Sequence, residues 1–264
     1  MDNVNKTLYI PLYGKALVSK KGIILSDRKA EEIWSEEGFP LKGKSRSKWL
    51  AYFLSMRSAV FDRWLREEMS RYPSAVILHI GCGMDSRIER VGSGGHLWYD
   101  IDFEDVIRLR RKHYSSDEHY KMLSGDARNT EWLIEIPASN HVIIVLEGIS
   151  MYLKTEELQK LMLSVSHHFR NISMLMDCYT ERGAKATKYK NPINDVGVTD
   201  TYGIDDPKIL EENTGFSFVC EHDITPKDMI DELHGLEHFI FRKLFGGRFS
   251  KSIYRMYEYK KGMV

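Results

Sequence analysis

The chain has 264 residues, which is enough for one large α/β domain or two small ones. It carries 38 basic and 38 acidic residues, and the resulting zero net charge argues against nucleic-acid or membrane-surface binding as its main function. Residues 1–22 lack the apolar core of a signal peptide, and the apolar stretch 142–153 is too short to cross a bilayer. We therefore expect a cytoplasmic protein.

The three cysteines, Cys82, Cys178 and Cys220, are far apart and form no C-x-x-C pair. Each lies in or beside an apolar run, and apolar residues make up 42% of the chain, so a full core needs no disulfide. We expect all three cysteines to be buried, reduced thiols.

The N-terminal part of the chain is predicted to be helical. Within the mixed segment 1–39, Asp27 is predicted to N-cap a short helix over 28–34. After a loop at 38–43, apolar residues recur at helical spacing over 47–69, which indicates a long helix that carries Arg57.

The next stretch contains the first unit of a nucleotide-binding α/β fold. A buried strand is predicted at 76–80, followed by a tight turn at Gly81-Cys82-Gly83 and the first turns of a helix at 84–90. A second strand at 96–101 ends at Asp102. An acid at this position can accept hydrogen bonds from both ribose hydroxyls of a nucleotide ligand.

The residues after the glycine turn bear on which nucleotide is bound. A dinucleotide fingerprint has a third small residue where this chain has Ser86, which disfavours a nicotinamide dehydrogenase. We expect the acid Asp85, in the first helical turn, to repel a pyrophosphate placed there. S-adenosylmethionine has no phosphate and carries a sulfonium cation, so the pattern favours that cofactor.

A helix predicted at 104–114 carries four basic residues that we expect on its outer side. They are Arg108, Arg110, Arg111 and Lys112. Alone they resemble a nucleic-acid patch, but at zero net charge a solvated helix face is the better interpretation.

The chain then alternates strands and helices as a doubly wound parallel sheet does. The elements are a strand at 120–124, a short helix at 130–134, a strand at 141–146, a helix at 155–169 capped by Thr155, and a strand at 171–177. Glycines or acids follow four strands in succession, namely Gly81 and Gly83, Asp102, Asp126 and Glu147. Open α/β sheets bind ligands at this edge.

The C-terminal part begins with an irregular insert at 181–215, which holds Tyr189 and Tyr202 and has the character of a lid or substrate loop. A plain surface excursion is the alternative. A sixth strand at 216–220, a helix at 228–236 and an alternating, edge-type strand at 253–259 complete the prediction.

One motif suggests a different function. His234 to His238 fits the H-x-x-E-H pattern of some zinc peptidases, and both histidines would share one face of a helix. Gly235 weakens that helix, and little chain remains for a third ligand, so a surface or packing role is favoured.

Eight sequence words resemble the leucine carboxyl methyltransferase family, on the branch of tetracenomycin-type polyketide O-methyltransferases. They are, in order, IPLYGKAL, RSAVFDRWL, HIGCGMDSR, WYDIDFEDVIRLRR, SGDARNTEW, LEGISMYL, YGIDDP and GGRFSKSIYRMYEY. The resemblance implies a class I, Rossmann-like methyltransferase fold with a seven-stranded, mostly parallel sheet and an antiparallel last strand. A single domain over 1–264 would comprise a helical cap (1–72), a cofactor-binding core (73–180), a lid (181–215) and C-terminal strands (216–264).

The resemblance also implies roles by position. Arg57 would pair with the methionine carboxylate of S-adenosylmethionine, a task that suits a guanidinium. The other cofactor residues would be the loop Gly81, Cys82 and Gly83, the ribose acid Asp102 with Asp100 as second choice, Asp126 and Ala127 at the adenine, and Glu147 at the α-ammonium. Tyr152 would lie at the reaction centre. Asp85 and Arg87 would form an internal ion pair, while the role of Lys15 is left open. No metal is expected.

The implied reaction is an in-line methyl transfer to a carboxylate or hydroxyl of a small molecule. A carboxylate needs no general base, whereas a phenol does, and no clear base is found. A non-catalytic cofactor-binding protein and a protein C-terminal carboxyl methyltransferase are the alternatives. The oligomeric state is left open.

Overall fold

The structure is a computed structural model that describes residues 7–41, 43–187 and 200–262. Tyr189, one of the two tyrosines of the predicted lid, lies outside the described residues. In these ranges no helix combines the length and the apolar character needed to cross a membrane.

Three helices form the N-terminal part: α1 (Tyr9–Lys21), α2 (Arg28–Glu37) and α3 (Lys48–Arg71). The predicted cap of α2 is confirmed, since the Asp27 carboxylate accepts a hydrogen bond from the Ala30 N–H at 2.8 Å. Helix α1 was not predicted. Its Pro11 lies in the first turn, where a missing N–H is tolerated, and Gly14 lets α1 approach Ala51 of α3 closely.

Seven strands form one sheet, which confirms the predicted fold class. They are β1 (Val76–Ile80), β2 (Trp98–Asp102), β3 (Tyr120–Ser124), β4 (Val142–Leu146), β5 (Ile172–Tyr179), β6 (Ser217–Glu221) and β7 (Tyr254–Lys261). Their order is β3-β2-β1-β4-β5-β7-β6, and β7 runs antiparallel to both its neighbours. The strand order reverses between β1 and β4, so the ligand-binding crevice of such a sheet lies there.

Seven further helices connect or flank the strands. They are α4 (Arg87–Val91), α5 (Glu104–Arg110), α6 (Thr155–His168), α7 (Glu181–Ala186), α8 (Lys227–Ile230), α9 (Gly235–Leu244) and α10 (Arg248–Lys251). Short 3₁₀ turns occur at Gly43–Arg46, Thr130–Glu135, Ser150–Tyr152 and Pro207–Leu210.

The core has two layers, one on each face of the sheet. On β1, Ile77 packs towards the layer that includes α1 and α3, while Leu78 and Ile80 pack towards the layer that includes α6. This alternation is the period-two geometry of a strand whose two faces are both covered. It explains why β1 reads as an unbroken apolar run.

Three predictions of local structure are wrong. Strand β7 is not an edge strand, because it pairs with β5 on one side and β6 on the other. The single helix expected at 228–236 is two helices, α8 and α9, and Gly235 at their junction has a φ of +55°. Helix α6 begins at Thr155, but its N-cap is Lys154, whose N–H donates to the Glu157 carboxylate at 2.7 Å.

The histidine motif and the cysteines can be compared with their predictions. His234 precedes α9 and does not share a helical face with His238, and the His238 imidazole lies 3.1 Å from Asp231, which agrees with the favoured surface role and not with the peptidase pattern. Cys82 and Cys178 are buried thiols as expected, but Cys220 is exposed. Strand β6 lies at the edge of the sheet and most of its residues are exposed.

Candidate active site

A cavity of about 330 Å³ opens at the carboxyl ends of β1, β2 and β4, beneath α1 and α3. Seven of the nine predicted site residues line it: Arg57, Gly81, Cys82, Gly83, Asp102, Glu147 and Tyr152. Its remaining wall is largely apolar, with Leu8 and Pro11 from the N-terminal helix among the contributing side chains. The size and the mixture of apolar walls with a few polar groups are typical of a small-molecule site.

The glycine turn after β1 is held by the acid at the tip of β2. The Gly83 N–H donates to Asp102 Oδ2 at 2.7 Å, and the Phe103 N–H donates to Oδ1 at 2.8 Å. Gly81 has a φ of +70°, and a Cβ there would lie 2.7 Å from Ile149 Cδ1. Each Asp102 oxygen keeps one lone pair that a ligand hydroxyl can use.

Burial raises the pKa of Asp102 above its ordinary value, although both backbone N–H groups act in the opposite direction. The Asp102 carboxylate beside the glycine turn is therefore partly removed from water.

Asp100, the second choice for the ribose acid, lies elsewhere. Its carboxylate contacts Arg110 and accepts hydrogen bonds from the Tyr120 hydroxyl at 2.6 Å and Trp98 Nε1 at 2.9 Å. Although burial opposes ionisation, Arg110 and His79 lower the pKa of Asp100 to about 2. Asp100 therefore stabilises the sheet, and Arg110 is fully buried against it, contrary to the predicted outer helix face.

The Arg57 side chain of α3 lines the cavity and contacts two carboxylates. Its Nε donates to Glu147 Oε1 at 3.1 Å, and its Nη1 donates to Asp177 Oδ2 at 2.8 Å. Nη1 also donates to the Tyr254 hydroxyl at 2.7 Å. The Nη2 atom lies 3.0 Å from Glu147 and next to Gly148, so it keeps an N–H for a ligand carboxylate.

Glu147, which was predicted to meet an α-ammonium, is engaged by protein groups at both oxygens. Oε1 accepts from Arg57 and from the Ser58 hydroxyl at 2.6 Å, while Oε2 contacts Arg87. Although burial favours the neutral acid, Arg87 and Arg57 lower the pKa of Glu147 to about 2. Glu147 is therefore a permanent anion that positions Arg57 and still borders the cavity.

A network of buried ion pairs lies next to the glycine turn. Arg87 Nε donates to Asp62 Oδ1 at 2.7 Å, and its Nη2 lies 3.3 Å from Asp85 Oδ2, which confirms the predicted internal pair. Arg90 Nη1 lies 2.8 Å from the other Asp85 oxygen, and Lys15 Nζ lies 3.4 Å from Oδ2. Asp85 is thus paired with three cations, which weakens the expected repulsion of a pyrophosphate.

The loop after β3 does not contribute the cavity residues that were predicted there. Asp126 and Ala127 are not among the described residues that line the cavity. The Asp126 carboxylate is paired with Arg128, whose Nη2 donates to Oδ2 at 2.7 Å. Their adenine-binding role stays a prediction.

Among the described residues three tyrosines line the cavity, and burial raises the pKa of each hydroxyl: Tyr152, which was predicted, and Tyr179 and Tyr254, which were not. A protonated phenol donates a hydrogen bond and cannot act as a base at neutral pH.

Other residues in or beside the site that the sequence reasoning missed are His79 and Tyr254, which line the cavity, and Asp177, which contacts Arg57. Asp177 could have been found, because it lies near the carboxyl end of β5, as Asp102 does on β2. His79 reads as one more member of the β1 run, and the sequence gives no sign that its ring lies between Asp100 and Arg87.

Comparisons with known proteins bear on this site. A sequence model of the family described as "Leucine carboxyl methyltransferase" matches residues 3–166. The tetracenomycin polyketide synthesis O-methyltransferase TcmP of Streptomyces glaucescens is 26% identical over 213 residues, which are 80% of this chain and 79% of that protein. The S-adenosyl-L-methionine-dependent methyltransferase dpfgK of Gibberella zeae is 26% identical over 234 residues, with 80% and 78% covered.

Among solved structures, magnesium protoporphyrin IX methyltransferase (ChlM) from Synechocystis PCC 6803 has a similar fold. Its TM-score is 0.52 at 15% sequence identity, with 89% of this chain and 93% of that chain covered. The similarity concerns the arrangement of the sheet and its helices.

Proposed function

The chain belongs to the leucine carboxyl methyltransferase family, and on that premise we propose that it is an S-adenosylmethionine-dependent O-methyltransferase. Its acceptor is a small molecule that is methylated on a carboxylate or, as the second choice, on a hydroxyl. The relative named a polyketide O-methyltransferase and the relative named S-adenosyl-L-methionine-dependent support the reaction class and the cofactor.

The observation that carries this proposal is the set of polar groups around the cavity. Asp102 has lone pairs free for ribose hydroxyls beside a glycine turn, and Arg57 Nη2 has an N–H free for a carboxylate. Three carboxylates line the cavity, namely Asp85, Asp102 and Glu147. Asp85 and Glu147 are paired with cations, whereas the contacts of Asp102 in the described part of the chain are the two backbone N–H groups. The charge of Asp102 is therefore the one that can act on a bound cation such as a sulfonium.

When bound, S-adenosylmethionine supplies an electrophilic methyl group. The protein then has to hold cofactor and acceptor in line and keep water out, which can lower the barrier by roughly 7–11 kcal/mol. Apolar side chains from α1 and from the loops after β2 and β4 line this space, and they would help to exclude water once both ligands are bound. Tyr152, protonated at neutral pH, can donate a hydrogen bond that orients the acceptor.

The lining side chains favour a carboxylate as the acceptor group. Asp85 and Glu147 are paired with cations, and both ring nitrogens of His79 face partners, Asp100 and Arg87. None of these groups is placed to remove a proton from a phenol, whereas a carboxylate is already a nucleophile at neutral pH.

We further propose that residues 181–187, the described start of the 181–215 segment, border the part of the cavity that binds the acceptor. Gly183, Ala186 and Thr187, in and just after α7, line it and support this role. The apolar lining suits a small organic acceptor whose remaining surface is apolar.

Calorimetric titration tests the cofactor assignment. S-adenosylmethionine and S-adenosylhomocysteine should bind and NAD should not, and Asp102→Asn should weaken both bound ligands about 10- to 100-fold, because a charged hydrogen-bond acceptor for the ribose is lost. Asp105→Asn is the matched control, since that carboxylate lies half exposed on α5 and faces Arg108 at 3.5 Å. Binding of NAD alone, or of neither cofactor form, would overturn the proposal.

The role of Tyr152 is tested with labelled S-adenosylmethionine and two acceptor panels, aromatic carboxylic acids and phenols. We expect transfer to the acids, and Tyr152→Phe should lower kcat about tenfold with cofactor affinity unchanged, since one hydrogen bond to the acceptor is removed. Tyr13→Phe is the control, because its ring packs on Trp34 and does not line the cavity.

Transfer to phenols alone would refute the carboxylate preference. Binding of the cofactor without transfer to any acceptor, including peptides with a free C-terminal carboxylate, would instead indicate a non-catalytic binding protein.

A further inference from the structure

A thiol, an imidazole and a carboxylate come together on the last two strands, away from the cavity. They are Cys220 and His222, from the end of β6 and just beyond it, and Glu258 of β7. Among the residues that the structure describes, this is the group whose His, Cys, Asp or Glu donor atoms lie close enough together to hold a metal ion. We propose that these three side chains form a Zn²⁺ site.

The spacing of the donor atoms fits a tetrahedral ion. Cys220 Sγ lies 3.5 Å from His222 Nε2 and 3.7 Å from Glu258 Oε2. With Zn–S near 2.3 Å and Zn–N or Zn–O near 2.0–2.1 Å, a tetrahedral ion places sulfur about 3.5 Å from its neighbouring ligand atoms. His222 Nε2 and Glu258 Oε2 are 2.7 Å apart and need to separate to about 3.3 Å, a side-chain movement of a few tenths of an ångström each.

A β-bulge brings the thiol to this face. Phe218 pairs with Tyr259, whereas Cys220 pairs with Glu258, so one extra residue lies on β6 between them. Phe218 consequently packs on the rings of Tyr257 and Tyr259, while Cys220, two residues later, lies beside Glu258 on the opposite face. Without the bulge, Cys220 would share the face of Phe218 and could not reach Glu258.

The carboxylate is oriented by a second contact. Glu258 Oε1 faces Lys260 Nζ at 3.5 Å, and Lys260 also lies 3.5 Å from Glu68 of α3. Oε2 is thereby directed to the thiol and the imidazole. Groups that fix ligand orientation in this way are a regular part of metal sites.

The choice of Zn²⁺ follows from the donor set. A thiolate and an imidazole disfavour Mg²⁺ and Ca²⁺, which prefer oxygen ligands, and favour Zn²⁺ or its surrogate Co²⁺. The exposed Cys220 and the one-quarter-exposed His222 leave an entry path and room for a water as fourth ligand. Because the three ligands come from β7, β6 and the residue after β6, the ion would link the last two strands of the sheet.

Cobalt titration of the reduced protein tests the site. One equivalent of Co²⁺ per chain should give a thiolate-to-cobalt charge-transfer band, which Zn²⁺ should abolish by displacement and Mg²⁺ should not. Zn²⁺ should also raise Tm. Cys220→Ser should remove the band, and Glu258→Gln should weaken Zn²⁺ binding at least about tenfold, because a charged ligand is lost.

His238→Ala is the matched control, since His238 also contacts a carboxylate, Asp231, but has no thiol beside it, and both the band and the affinity should be unchanged. Absence of the band in wild type, its persistence in Cys220→Ser, or a stoichiometry of one ion per two chains would each overturn the proposal. The test does not depend on methyl transfer, because none of the three residues lines the cavity.

Discussion

Replacing Arg57 by alanine should raise the dissociation constant of S-adenosylmethionine and S-adenosylhomocysteine about 100-fold, which is the loss expected for a charge-assisted hydrogen bond in a buried site. The affinity for 5′-methylthioadenosine should stay within about threefold of wild type, because that ligand lacks the amino-acid portion that the arginine would contact. Calorimetry with the three ligands measures both effects. An equal loss of affinity for all three ligands would mean that Arg57 affects binding only by stabilising the folded protein.

The variant also leaves Asp177 buried without its cation, so a control for folding is needed. Asp177 keeps the Tyr254 hydroxyl at 2.5 Å and the Gly148 N–H at 2.7 Å, but its charge is no longer balanced. The double variant Arg57→Met/Asp177→Asn removes both charges and should recover Tm without recovering affinity. Arg63→Ala, an exposed ion-pair arginine further along α3, should alter neither quantity.

Much of the sheet was predictable because its parallel strands are buried on both faces. Strands β1 and β4 read as uninterrupted apolar runs, and both predicted positions agree with the structure to within one residue. Helix α1 could not be predicted in the same way, since Pro11 and Gly14 argue against a helix and its apolar residues do not form one clear stripe. The position of β7 between β5 and β6 depends on pairing with β5, which local alternation does not reveal.

Site residues at the carboxyl ends of parallel strands could be predicted from the sequence. Contacts between residues that are far apart in the chain could not. Asp102 and Glu147 follow parallel strands, so sheet geometry alone places them at the ligand edge. Arg57 pairs with Asp177 across 120 positions of the chain, and no spacing rule links them. The family resemblance supplied a ligand role for Arg57, but only the structure shows that its guanidinium already holds two carboxylates.

The second large effect concerns stability. Arg87→Ala should lower the free energy of unfolding by about 3–5 kcal/mol, the range for removing one partner from a buried ion-pair cluster. The side chain is fully buried and bridges Asp62 and Asp85 to Glu147, so its loss leaves these carboxylates facing each other with fewer cations. Urea unfolding at pH 7 measures the change. Arg108→Ala is the control, because that arginine is 67% exposed and its ion pairs should contribute little.

The pH dependence of the change in unfolding free energy shows whether Arg87→Ala destabilises the protein by removing ion pairs or by removing packing contacts. Burial favours the neutral form of Glu147, yet Arg87 and Arg57 lower its folded pKa to about 2, against 4.5 for an ordinary glutamate. A depressed folded pKa stabilises the protein above the unfolded pKa, and this contribution disappears as the pH falls from about 4.5 towards 2. Without Arg87 the pKa of Glu147 in the folded protein should rise. The difference in the free energy of unfolding between wild type and Arg87→Ala should therefore be largest at neutral pH and should decrease as the pH falls from about 4.5 towards 2. A difference that stays constant from pH 7 to pH 3 would show that Arg87 stabilises the fold by packing alone.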